Sequence, residues 1–209
     1  MDLWPWIHEE RASILETFEG LTADQWDVPS LCGQWNVRQV LGHLVVAANP
    51  PTGQFAIEVV KARGSFDRAN DRLARLEAEQ PTAELIARYR ELFGERNTPP
   101  GLGPAAPLGD ILLHSLDVRI PLGLPSDRPP ERYTPALEMM FGRIGSRVFV
   151  PKGRPDLHWV ATDHLWTHGT GEAVEGTMAD LTMAASGRGA RVDALTGPGQ
   201  RLLAAWFSR

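Results

Sequence analysis

Cysteine is nearly missing from this chain: there is one, Cys32, in 209 residues. A single thiol excludes an internal disulfide and fits a reducing compartment, the cytoplasm. A reactive thiol stays open as a reading, but the turn SLCGQW suits a small, half-buried residue better. Excess positive charge is missing too. A formal net charge of −5 gives no basic footprint for nucleic acid. No apolar run reaches the ~18 residues of a membrane span. The segment MDLWPWIHEERASIL carries acids early and no basic region, so it does not read as a secretory signal. There are no convincing internal repeats and no low-complexity tail. What is present is 43% apolar content, enough for an ordinary packed core.

The pattern along the chain is helical first. Residues 3–19 put Ile7, Ala12, Ile14, Leu15 and Phe18 on one side. Asn36 suits an N-cap for a helix over Val37–Ala48, with Val37, Val40, Leu41, Leu44 and Val45 facing in. Asn49-Pro50-Pro51 ends it. Residues 53–78 form a long amphipathic stretch that Gly64 and Ser65 kink or break. A helix starts at Pro81 or Thr82, another covers Leu108–Ile120, and a last one runs from about Thr134 to Phe149. The period then changes. LHWVATDHLWTHGTG alternates and reads as strands, EAVEGTMADLTMAASGRGA as a strand edge leading into a short helix that stops at Gly187, and a final helix spans about Pro198 to Phe207. The expected fold is mainly α: a helical bundle over 1–150, and a small α/β domain over 151–209.

One helix poses the chemical question. GDILLHSLDVRIPLG places Asp110, His114 and Asp117 at spacings of four and three, hence on one face. Ile111, Leu112, Leu113, Leu116 and Val118 nearly surround that stripe, which marks the helix as buried. Buried acid and imidazole groups need partners. D-x-x-x-H can bind one divalent ion from adjacent turns, and His43, on the otherwise apolar NVRQVLGHLVVAA helix, offers a third ligand. Two imidazoles and one carboxylate leave an open coordination position. Taken singly, each residue has a plainer reading. His43 suits a satisfied core histidine, Asp110 a helix N-terminus, and Asp117 a partner for Arg119 or Arg38. His158, His164 and His168 have no ligand spacing and read as strand-surface or interface residues. His164 and His168 would share a strand face. Trp159 and Trp166 read as core or interface aromatics.

QWNVRQVLGHL, followed by D-x-x-x-H-S-L-D-V-R-I-P-L-G, resembles the DinB-like metalloenzyme superfamily. Within it, the likeness is to the actinobacterial family of mycothiol-dependent maleylpyruvate isomerases. The tail WVATDHLWTHGTGEAVEGTMADLTMAASGR is similar to that family's C-terminal domain. The resemblance implies a DinB-like four-helix bundle with a divalent metal, usually zinc, on His43, Asp110 and His114. One departure stands out: those isomerases carry glutamate where this chain has Asp110. Asp117 would orient a ligand. The implied cosubstrate is a low-molecular-weight thiol such as mycothiol, whose thiolate attacks an unsaturated acid or another electrophile, in an isomerase or a related S-transferase. Arg119, Arg38 and Arg188 are the candidate cations for an anionic substrate or the thiol. Two other readings compete: a non-catalytic ligand-binding or regulatory protein on the same fold, and a plain scaffold in which the triad hydrogen-bonds to itself. The apolar helix faces of such bundles also leave a homodimer open.

Overall fold

The computed structural model describes residues 1–50 and 52–208. It divides into two compact units. One comprises Met1–Thr98 and His114–Ser126; the other comprises Pro99–Leu113 and the chain from Asp127 onward. These units do not follow the sequence segments 1–150 and 151–209. Helix α6 (Ala105–Arg119) runs without a break from one unit into the other. No helix among the described residues is long and apolar enough to cross a membrane.

The first unit is helical. Its elements are α1 (Trp4–Glu19), a 3-10 turn (Ala23–Asp27), α2 (Val37–Ala48), α3 (Thr52–Lys61), α4 (Phe66–Glu77), α5 (Thr82–Glu91) and the last turns of α6. Helix α2 is central and packs against α4 and α5; α1 lies on α5, and α3 on α4. Local chemistry starts α2. The Asn36 side chain accepts from the Gln39 backbone N–H, and the Gln39 side chain accepts from that of Asn36. Such a reciprocal cap satisfies two donors that a helix start otherwise leaves unpaired. Val37, Val40 and Leu41 are then fully buried. The amphipathic stretch after Pro51 breaks where the sequence expects. Arg63 (φ 54°) and Gly64 (φ 81°) turn left-handed, and Ser65 caps α4 by accepting from Arg68 N–H.

Glu58 ties α3 to α4. Its two carboxylate oxygens accept from Lys61 Nζ at 2.6 Å and from Arg72 Nε at 2.7 Å. The Lys61 bond, joined by Arg72, holds the Glu58 carboxyl below its usual range and outweighs an opposing effect of burial. A depressed carboxyl stabilises the fold fully above the ordinary carboxylate range, and that stability goes as pH falls through the lowered folded value. Glu58→Gln is therefore expected to flatten the acid side of a melting-temperature-against-pH curve, with little effect on its shape near neutrality. An acid limb identical to wild type would show that the α3–α4 tie carries no pH-dependent stability.

The second unit holds α7 (Thr134–Phe141), α8 (Gly145–Val148), β1 (Leu157–Ala161), β2 (Thr167–His168), β3 (Glu172–Gly176), α9 (Met178–Ala185) and α10 (Gln200–Phe207). The strands order as β2-β1-β3, with β1 antiparallel to β2 and parallel to β3. Phe141 gathers the aromatic contacts of its core. It meets Trp159 edge-on at 5.5 Å and His168 at 4.0 Å, while the Arg154 guanidinium lies 4.1 Å over its ring. Trp166 is buried and donates to Glu138 Oε1. Two expectations are corrected here. The helix from Thr134 does not reach Phe149: Gly142 takes extended backbone (φ −68°, ψ 160°) and ends α7, leaving α8 as a separate turn. His164 lies in the bend before β2, so it shares no strand with His168.

Candidate metal centre

The site is built on α6 and α2. Helix α6 is apolar and buried nearly all round, with Leu108, Ile111, Leu112, Leu116 and Val118 at most 3% exposed. Its polar stripe is where the spacing put it, with Asp110, His114 and Asp117 on successive turns of one helix. Asp110 is half-buried, whereas His114 and Asp117 are buried. His43 projects from α2, also buried, and its ring meets that of His114 edge-on at 4.7 Å. One ligand atom each from His43, Asp110 and His114 lies within 4.8 Å of the other two.

Each imidazole is held by its Nδ1. His114 Nδ1 lies 2.9 Å from Asp117 Oδ2, and His43 Nδ1 lies 3.2 Å from the amide oxygen of Asn70 on α4. Both partners are acceptors. A neutral ring that donates from Nδ1 carries its lone pair on Nε2. Two imidazoles fixed in that tautomer beside a carboxylate are what a divalent ion needs from its ligands and their supports. The donor set fits a zinc-class ion. The indole of Trp35 covers the pair, 5.1 Å from His43 and 6.0 Å from His114, and is itself anchored by donating to Asp71 Oδ1 at 2.7 Å.

The arginines are placed differently from one another. Arg119 is buried and donates through Nε and Nη2 to Ser13 and Thr17 of α1, which makes it a tie between α6 and α1. Arg38 donates to the Gln80 carbonyl. Arg188 follows α9 and donates to Ser186 Oγ. Asn70 and Trp35 had no role in the sequence reading. Trp35 stands within the QWNVRQVLGHL segment, but nothing local pointed its ring at His43. Asn70 lies in an Arg- and Asp-rich helix that looks like a solvated face.

A helical bundle with imidazoles and a carboxylate converging from two helices, together with a small C-terminal α/β part, is the DinB-like fold. The chain belongs to the family whose model is described as the mycothiol maleylpyruvate isomerase N-terminal domain; the match covers residues 7–119. Two solved structures are similar over 96% of this chain and 94% of theirs, each with a TM-score of 0.66. They are the mycothiol-dependent maleylpyruvate isomerase, at 12% identity, and a histidine-to-alanine mutant of it, at 11%. At that identity the likeness is one of fold. No curated protein matches the chain.

Proposed function

We propose that the chain is a metal-dependent enzyme of maleylpyruvate isomerase type that uses a low-molecular-weight thiol such as mycothiol. His43, Asp110 and His114 would hold the ion, zinc by the character of the donors. The observation that carries this reading is the convergence of one ligand atom each from His43, Asp110 and His114, all within 4.8 Å of one another. A divalent ion held there supplies the Lewis acidity that makes a thiolate available at neutral pH. The chain's own residues do the rest. Asp117 and Asn70 fix the rings, and Trp35 shields them from water. The nucleophile comes from the cosubstrate, and the substrate is a small unsaturated acid. The cytoplasm, where such thiols stay reduced, is the fitting location.

The test uses protein prepared without chelator or tag-derived metal. Elemental analysis is expected to find about one ion per chain, and isomerisation of maleylpyruvate is expected to require both that ion and the thiol. Metal without thiol-dependent turnover would reduce the protein to a binding module. Consumption of the thiol into a product would move the reading to an S-transferase. Absence of bound metal, with a melting temperature indifferent to EDTA, would leave only a hydrogen-bonded core cluster.

Asn70 gives a finer check. Asn70→Leu removes the acceptor that holds His43 and is expected to weaken metal binding ~10–100-fold. Asn70→Asp keeps an acceptor and is expected to retain the affinity. Competition with a chromophoric chelator measures both. Equal affinities for wild type and Asn70→Leu would mean that His43 needs no support.

A further inference from the structure

Cys32 has no part in the reading above, yet its surroundings are built. The turn that carries it is pinned to α6: Leu31 N–H donates to the Asp117 carbonyl at 3.0 Å. It is also closed on itself. Ser30 Oγ donates to the Trp35 carbonyl at 2.8 Å, Cys32 N–H donates to Ser30 Oγ at 3.1 Å, and Trp35 N–H donates to the Cys32 carbonyl at 3.1 Å. The side chain of Cys32 is thereby fixed over Asp117 and His114. Cys32 Sγ, a His114 nitrogen and an Asp117 carboxylate oxygen lie within 4.8 Å of one another. Asp117 is 0% exposed and His114 5%, while Cys32 is half-buried. Ligand atoms around a tetrahedral zinc stand roughly 3–4 Å apart, given bonds of ~2.0–2.3 Å. Thiolate, imidazole and carboxylate together form an ordinary donor set for such an ion.

We propose that Cys32, His114 and Asp117 form a second metal position, selective for thiophilic divalent cations of the cadmium and zinc class, which shares His114 with the first. The two positions differ in softness. His43, Asp110 and His114 offer two nitrogens and an oxygen, whereas the second set adds a thiolate, which favours softer ions. They also compete. Nδ1 is the His114 nitrogen that faces Asp117. An ion taken up beside Asp117 binds Nδ1, whose proton passes through solvent to Nε2; the bond to Asp117 ends, and a protonated Nε2 cannot ligate an ion in the first position. Occupation of the second position is therefore inhibitory, and only this consequence rests on the functional reading above.

Cys32 is the sole cysteine of the chain, so any ultraviolet sulfur-to-cadmium charge-transfer band reports it alone. Metal-free protein in thiol-free buffer is titrated with Cd²⁺. The band is expected to saturate at about one cadmium per chain, to be absent in Cys32→Ser, and to persist in His43→Ala. Asp117→Asn, which keeps the side-chain shape, is expected to weaken cadmium at least ~10-fold. Cadmium bound without the band overturns the proposal. So does a band lost in His43→Ala, since Cys32 would then serve the first set. The functional reading fails separately: it falls if Cys32→Ser binds neither Zn²⁺ nor Co²⁺, whatever the cadmium band of the wild type does.

Discussion

His114→Ala is expected to abolish metal binding and also to lower the melting temperature of the chelated protein, whereas His43→Ala should do chiefly the first. Both residues are proposed ligands, so elemental analysis should find metal lost from the first position in each. Stability separates them. The His114 ring donates to Asp117, whose side chain is wholly shielded from solvent. Removing the ring takes a donor from a buried carboxylate, at a cost of about 1–3 kcal/mol. In a chain of this size 1 kcal/mol moves the midpoint by roughly 2–4 °C, so several degrees are expected. The acceptor at His43 Nδ1 is an amide on a half-buried residue, Asn70, that water can satisfy. Its loss costs less. Calorimetry in EDTA therefore ranks His43→Ala between wild type and His114→Ala. Full metal content in both variants would remove these residues from coordination. Equal midpoints for both would mean that the His114–Asp117 bond adds nothing to the apo fold.

Much of this geometry was legible because it is local. The Asn36 cap, the inward face of α2, and the break at Gly64 each depend on neighbours within four residues. So does the polar stripe of α6, since Asp110 and His114 lie on one helical face by spacing alone. What was not legible depends on partners far away in sequence. Arg119 stands in its motif as one of three candidate cations, and its hydrogen bonds to Ser13 and Thr17, about a hundred residues earlier, could not be read there. Asn70 is indistinguishable in sequence from the charged residues around it; only the approach of α4 to α2 gives it a histidine to hold. The compact units were hidden for the same reason. Periodicity sees a change after residue 150, but Phe141 on α7 belongs with Trp159 and His168 through ring contacts that no local pattern encodes.

That approach of α4 to α2 rests on Gly42, and Gly42→Val is expected to be among the most damaging single changes in the first unit. A Cβ at this position would stand 2.4 Å from the Ala74 carbonyl oxygen and 3.1 Å from the Ala78 nitrogen. Both obstacles are backbone, so no side-chain rotation relieves them, and the helices must separate. Ala74 and Ala78 are themselves small and buried, which leaves no slack on the other side. Two terms oppose each other. Replacing glycine inside a helix gains up to about 1 kcal/mol of propensity, less for a β-branched residue. Overfilling a close helix contact costs typically about 1–3 kcal/mol and occasionally more. The second term wins already for Gly42→Ala, whose Cβ meets the same two backbone atoms, and more clearly for valine, whose methyls add to it. The site is expected to feel the same displacement, because His43 follows Gly42 on α2 and its acceptor Asn70 stands on α4. Gly42→Val should therefore lose metal affinity along with several degrees of thermal stability, with Gly42→Ala intermediate on both measures. A Gly42→Val chain that melts with wild type would show that α2 and α4 need not touch backbone to backbone. One that melts early but binds metal as tightly would show that the His43–Asn70 contact survives their separation.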